Sequence, residues 1–415
     1  MRITFFALLM LVSLPLQAVE QDWTPTKDAS KDGIINGRAM ETFEAGVKPQ
    51  WGYAAPQQDS FIVVHPKEDR KNAPLYVVLH SAGHDVVSCL NCTRTVGNHD
   101  IYRSPDDYYA LYVDCRKNMA RDWWWGGMHL KDAGLTKQNS GGNPMPVEKR
   151  VIDTVKWVIQ NYEIDPNRVY LSGNSMGGSG TLGIGMRHGD VFAAIKANVP
   201  AGIEHVSDRM YFPPQTAADN VTLPDPPVAI DYSAPNDNWS EGHERFVKAM
   251  NDRKYALYCY WGPFGHANNS AEIMKVNDLI DSLDWLSIKK NEAYPAFANA
   301  TSNSKLPWPD DLKSTTAGQV NAFFRWKNVS DSAEKFELSL YLVSAADLKT
   351  RFEIPPEASA DVTLRRLQRF QLKPGETFRW TFGAANGEGK ADGDGLITIA
   401  ALKMTAEPAT LTVTR

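Results

Sequence analysis

From Gly33 to roughly Leu286 the chain alternates two kinds of hydrophobic pattern. Short, almost uninterrupted apolar runs occupy Phe61–His65, Leu75–His80 (LYVVLH), Tyr109–Asp114 (YALYVD), Arg168–Ser172 (RVYLS), Ala193–Val199, Val228–Tyr232 and Ala256–Trp261. Continuous runs of this kind suit strands of a parallel sheet that is covered on both faces. Between them, Val147–Tyr162 carries Val147, Val151, Ile152, Val155, Val158, Ile159 and Tyr162 at spacings of three and four, which places them on one helical face. Further helices are expected near Glu241–Asn251 and over Ala271–Leu286. Strand and helix in alternation predict an α/β unit over residues 19–290.

After Lys290 the pattern changes. Residues 291–318 are rich in Ala, Asn, Ser and Pro, with LPWPDD at Leu306–Asp311, and read as a linker or interdomain crossing. From residue 319 to 415 only β-type runs follow: VNAFFRW, FELSLYLV, DVTLRRLQRFQL, ETFRWTF, LITIAAL and ATLTVTR. No long helical period interrupts them, so a small accessory β-sandwich is expected. The Asn386–Gly395 stretch (NGEGKADGDG) lacks the ligand spacing and terminal Glu of a calcium-binding EF-hand and is expected to be a hairpin turn.

Composition narrows the function classes. With 44 Lys and Arg against 49 Asp and Glu, the 415-residue chain has a net charge of −5. That balance argues against a nucleic-acid partner, which calls for a basic face. No apolar stretch is long enough for a membrane span. Arg2, the apolar run Ile3–Leu16 and the small residue Ala18 read as a leader over residues 1–18, which would place the mature protein in the periplasm or outside the cell. In that compartment disulfides persist, and Cys89, Cys92, Cys115 and Cys259 are expected to serve structural bridging, with three complete pairings open.

The chemistry centres on Gly173-Asn174-Ser175-Met176-Gly177. A Gly-x-Ser-x-Gly directly after a predicted strand and before a small-residue helix matches a nucleophile elbow, where Ser sits on a strained turn. The stretch from Tyr162 to Gly178, YEIDPNRVYLSGNSMGG, resembles secreted α/β-hydrolase esterases. The likeness is nearest to the feruloyl and acetylxylan esterases and the related polyhydroxyalkanoate depolymerases. It extends less specifically over Phe61–Leu286 and not into the β-rich region. The resemblance implies an α/β-hydrolase fold and the chain order nucleophile, acid, histidine. Ser175 is then the nucleophile. His266, in the loop after ALYCYW, is the base, with His243 as a rival expected on an exposed helix. Asp237, in the loop after VAIDY, is the orienting acid, with Asp231 as the competitor inside the strand. The oxyanion donors are expected to be the amides of Met176 and, from the loop His80-Ser81-Ala82-Gly83-His84, of Ser81.

Arg121-Asp122-Trp123-Trp124-Trp125-Gly126-Gly127 follows the strand YALYVD, and loops at that end of a parallel sheet surround the site. Trp124, Trp125 and Trp239 are the candidates for stacking on a sugar or aromatic acyl group. The reading is an exported serine ester hydrolase that needs no metal or organic cofactor, acting on an esterified polysaccharide or its fragments. Two alternatives stand beside it. One is a peptidase of the prolyl-oligopeptidase kind, which usually carries a β-propeller ahead of its hydrolase domain. The other is a carbohydrate-binding protein on an inactive hydrolase scaffold.

Overall fold

The computed structural model describes residues 23–53, 59–95, 100–116, 122–124, 144–203, 206, 223–266, 271–308, 316–349 and 352–415. The expected leader, Trp125 and parts of the LPWPDD segment lie outside them. Eleven strands among the described residues form one sheet. Its antiparallel flank is β1 (Thr26–Lys27), β2 (Gly33–Ile35), β3 (Arg38–Glu44) and β4 (Ser60–Val64). The body is β5 (Leu75–Leu79), β6 (Tyr109–Val113), β7 (Val169–Asn174), β8 (Ala194–Asn198), β9 (Val228–Ser233) and β10 (Leu257–Trp261). The spatial order is β1-β3-β4-β6-β5-β7-β8-β9-β10-β12, where β12 is Gly318–Val320, with β2 beside β3. From β6 through β10 all neighbours are parallel, and β4 joins β6 antiparallel. This is the α/β-hydrolase order, with β5 and β6 exchanged in space relative to the chain.

Five helices among the described residues cover the sheet. On one face lie α1 (Val86–Cys92) and α5 (Ala271–Asp281); on the other lie α2 (Pro146–Asn161), α3 (Met176–Gly185) and α4 (His243–Asp252). Both faces are therefore dry. On β7, Tyr170 enters the first core while Val169 and Leu171 enter the second. The continuous apolar runs reflect that double burial, each large side chain contributing about 1.5–3 kcal/mol.

The β-rich region is a pair of antiparallel sheets. One has the order β11-β15-β18, made of Tyr294–Ala298, Glu357–Arg365 and Ile397–Thr405. The other has the order β13-β14-β19-β16-β17, made of Phe324–Asp331, Lys335–Leu342, Ala409–Thr414, Thr377–Phe382 and Ala385–Lys390. The segment read as a linker contributes strands to two sheets. Its β11 completes the three-stranded sheet, and β12 (Gly318–Val320) pairs antiparallel with β10 at the edge of the main sheet. The two regions consequently share a core, in which Trp285, Phe297 and Phe324 belong to one buried cluster.

Two buried arginines lock the contact. Arg325 donates to Leu279 O (2.9 Å) and Ser282 O (3.2 Å), carbonyls at the end of α5 that lack helical partners. Arg366 donates to Gly189 O (3.0 Å), Phe192 O (2.8 Å) and Ala193 O (3.2 Å) ahead of β8.

Two expectations are corrected. First, part of the expected Asn386–Gly395 turn is strand β17, whose Gly387 and Gly389 lie beneath Trp380 and Phe378 of β16; a Cβ on either would come within 2.8 Å or 2.6 Å of a ring. Asp392 organises the turn that follows, accepting from the amides of Asp394 (3.0 Å) and Leu396 (2.9 Å). Second, the four cysteines are free thiols. Cys89 lies in the core on one face of the sheet, Cys115 and Cys259 in the core on the other. Cys115 follows β6 and Cys259 is on β10, five strand spacings of about 4.8 Å away, far beyond disulfide reach. Reductant is therefore expected to leave the melting temperature unchanged to within about 1 °C, in contrast to the loss of about 2–5 kcal/mol when a native disulfide is broken. A scanning calorimetry pair with and without dithiothreitol checks this.

Candidate active site

Ser175 stands between β7 and α3 with φ 56° and ψ −116°, a conformation that a residue with a Cβ adopts only under constraint. The constraint is backbone packing on all sides. A Cβ on Gly173 would meet Gly177 O at 2.2 Å, and one on Gly177 would meet Leu79 O at 2.1 Å. The Ser175 amide donates to Asn198 O of β8 at 2.9 Å, which ties the turn to the neighbouring strand. Helix α3 is made almost wholly of small and apolar residues because it is buried along its whole length, with Gly180 directly under the Trp124 ring.

Three loops at the carboxyl ends of β7, β9 and β10 bring Ser175, Asp237 and His266 together. Ser175 Oγ lies 2.7 Å from His266 Nε2, and His266 Nδ1 lies 2.6 Å from Asp237 Oδ2. The chemistry assigns the protons. A carboxylate only accepts, so Nδ1 carries the hydrogen and Nε2 offers its lone pair to the serine hydroxyl. The second carboxylate oxygen, Asp237 Oδ1, accepts from the Trp239 amide at 2.9 Å. The Asp237 side chain is almost fully buried whereas that of His266 is one-third exposed, so the acid is fixed and the base faces the site. Gly265, with φ 56°, donates its amide to Asn236 Oδ1 at 3.0 Å and joins the histidine loop to the acid loop.

The Met176 amide is in the first turn of α3, where backbone N–H groups have no helical acceptor and the helix dipole is positive. The loop after β5 departs from expectation. The Ser81 amide already donates to the Tyr102 hydroxyl (3.1 Å), and that hydroxyl donates to Ser81 Oγ (2.7 Å). Burial keeps the Tyr102 phenol well above its ordinary pKa, so it stays a donor. The Ser81 carbonyl accepts from His80 Nδ1 at 2.9 Å. In a trans peptide the next N–H points the opposite way. It is that of Ala82, an exposed residue whose amide has no acceptor among the described residues. The Ser81 amide, expected to serve an anion, is thus engaged by Tyr102, and the neighbouring Ala82 amide is left open.

The tryptophans divide unexpectedly as well. Trp124 is fully buried and donates from Nε1 to His80 O at 2.9 Å, so it is a core residue and not a substrate contact. Trp125 lies outside the described residues. Trp123 lies beside Trp239. Its ring lies near-parallel to Trp239 (centroids 6.2 Å apart, 28°) beside the acid loop, and its Nε1 donates to Ser179 Oγ at 3.1 Å. Trp239 is 46% exposed, high for so large an apolar ring. Trp123 and Trp124 both have positive φ, at 35° and 58°. That turn sends consecutive rings to different sides, which strand or helix periodicity does not reveal.

The rivals face one another. His243 is fully buried rather than on an exposed helix face, and its Nε2 lies 3.2 Å from Asp231 Oδ2. Asp231 is inside β9, as expected, with its side chain buried.

Residues 141–207, the span that includes α2, the elbow and β8, match the model of the prolyl oligopeptidase family. No curated protein matches the chain. Solved structures similar to it include the fluorophosphonate-binding serine hydrolase F of Staphylococcus aureus, at 12% identity and a TM-score of 0.39 over 60% of this chain and 98% of that one. An S-formylglutathione hydrolase from Agrobacterium tumefaciens shares 14% identity with a TM-score of 0.40, covering 63% and 98%. A thermostable esterase shares 19% with a TM-score of 0.42, covering 62% and 64%.

Proposed function

We propose that this protein is an exported serine hydrolase that cleaves carboxylic esters through an acyl-enzyme, removing acetyl- or feruloyl-type groups from polysaccharides or their fragments. The observation that carries the reading is the unbroken hydrogen-bonded line Ser175–His266–Asp237. His266 Nε2 takes the proton as Ser175 Oγ attacks the ester carbonyl carbon, and Asp237 stabilises the imidazolium. The amides of Met176 and Ala82 bind the oxygen that becomes negative. Collapse expels the alcohol, which leaves with the proton from Nε2. Water then attacks the acyl-enzyme by the reverse sequence and releases the acid and free Ser175.

The exposed Trp239, flanked by Trp123, supports a sugar or aromatic substrate, because such a ring binds a flat apolar face by stacking. The basic–apolar–small pattern of residues 1–18 supports export. The family match over residues 141–207 favours, as a second reading, a peptidase that cleaves amides by the same steps.

Initial rates on acetyl, feruloyl and longer-acyl chromogenic esters and on a prolyl anilide test the proposal. Ester turnover without anilide cleavage supports it; cleavage of the anilide alone replaces it with the peptidase reading. Inertness towards all probes, and towards feruloylated and acetylated xylan fragments, would leave a binding protein on this scaffold. On xylan fragments, Trp239→Ala is expected to raise KM about tenfold, whereas kcat on a small acetyl ester stays within about twofold.

A further inference from the structure

The acid loop is gripped from behind by residues that touch no reacting atom. Ser240 is the centre of the grip. Its amide (3.1 Å) and its hydroxyl (2.8 Å) both donate to the carbonyl oxygen of Asp237. The same hydroxyl accepts from Trp308 Nε1 at 2.9 Å, and the Ser240 carbonyl lies 2.7 Å from His243 Nδ1. Trp308 also stacks on the His243 ring, with centroids 4.8 Å apart and planes 21° from parallel. Ser240, His243 and Trp308 are all buried.

The proton positions follow from the partners. A carbonyl oxygen only accepts, so His243 Nδ1 must carry a hydrogen. Nε2 faces the Asp231 carboxylate, which also accepts from Cys259 Sγ at 3.5 Å. Burial opposes charge on His243, but the Asp231 and Asp237 carboxylates and the Ser240 carbonyl overcome it and raise its pKa above the ordinary value. Trp308 arrives from the crossing between β11 and β12, the segment that the sequence marks by LPWPDD.

We propose that His243 and Trp308 clamp Ser240 and thereby hold the Asp237 carboxylate on His266, which makes them positioning residues for the hydrolytic reaction. The clamp rests on the reading of Ser175, His266 and Asp237 as the catalytic set. It also gives the crossing into the β-rich region a part in the active site, through a single indole.

Substitutions that separate the two nitrogens of His243 test it. The amide nitrogen of Asn reaches the place of Nδ1, whereas that of Gln reaches the place of Nε2. With a chromogenic acetyl ester, His243→Gln is expected to lower kcat about 10–100-fold with KM within about twofold, the size of effect expected when a catalytic group is displaced by about 1 Å. His243→Asn should stay within about threefold of wild type, and Trp308→Phe should lose about 3–10-fold. In an Asp237→Ala background, His243→Gln should cost less than about twofold more, because the group it positions is gone. Equal losses in the Asn and Gln variants, or a full additional loss in the Asp237→Ala background, would overturn the clamp and leave a purely structural role. Should His243→Gln fail to fold by circular dichroism, Trp308→Phe decides: unchanged kcat there overturns the proposal. A second readout needs no substrate. The far-downfield proton resonance of the His266 Nδ1–H···Asp237 bond should persist in His243→Asn and weaken or vanish in His243→Gln. Ester inertness of the wild type with that resonance pattern intact would count against the proposed function and not against the clamp.

Discussion

Replacing Ser175 by alanine is expected to lower kcat on the preferred ester by on the order of 10⁴–10⁶-fold and to leave KM and the melting temperature nearly unchanged. The size of the loss follows from the mechanism. Without Oγ no acyl-enzyme forms, and His266 has no hydroxyl within 2.7 Å to deprotonate. The Met176 and Ala82 amides and the aromatic surface remain, so a residual rate above that in water should persist. Stability should hold because the strained turn is kept by backbone contacts, including the Ser175 amide to Asn198 O, which alanine retains. Intact-mass measurement after exposure to a fluorophosphonate gives an independent check. The wild type should gain one covalent adduct and Ser175→Ala none. A variant that keeps more than about a tenth of wild-type turnover would remove Ser175 from the mechanism.

Gly177→Ala is expected to have the largest effect on folding. Its new methyl would lie 2.1 Å from Leu79 O, 2.7 Å from Leu79 C and 2.8 Å from His80 O. These are backbone atoms of the neighbouring parallel strand and its loop, so no rotamer change makes room. Ordinary overpacking costs about 1–3 kcal/mol, and an insertion that must part β5 from the elbow should exceed about 4 kcal/mol. Against a total stability of about 5–15 kcal/mol, the variant should be poorly soluble or melt about 10 °C or more below wild type. The contrasting substitution is Gly393→Ala, at an exposed position with nothing within 4 Å, which should change stability by less than about 0.5 kcal/mol. Thermal melts of both variants make the comparison. Equal stability would mean that the approach of β5 to the elbow is looser than these distances state.

The strands from β4 to β10 were legible because burial on both faces removes polar residues from the chain at those places. Helix α2 was legible because burial on a single face leaves a period of three and four. Edge and covering strands left no comparable trace. Strands β1 and β2 are short, β3 is only partly buried, β11 is read as linker because of its Pro295 and its Ala-rich surroundings, and β17 is polar and glycine-rich under aromatic rings. Their places are set by partners far along the chain, such as β15 for β11.

The candidate site divides in the same way. Ser175 is announced by its own neighbours, since a strand, two glycines and a buried helix are local necessities of the strained turn. Asp237 and His266 could be named because the resemblance to α/β-hydrolase esterases implies an acid and then a histidine in the loops after particular strands, and a parallel sheet delivers the loops at its carboxyl ends to one region. Which amide of the loop after β5 is already engaged, which tryptophan faces outward and which histidine is buried were decided only in three dimensions. Tyr102 takes the Ser81 amide across 21 residues, His80 takes the Trp124 indole across 44, and Trp308 reaches Ser240 across 68. The sequence by itself determined the succession of buried strands along the chain and the elbow, since these follow from local burial and local backbone geometry. The tertiary structure alone decided that Tyr102 engages the Ser81 amide, that the Trp124 indole is buried on His80 and that Trp308 meets Ser240, because each depends on a hydrogen bond whose partner is distant in the chain.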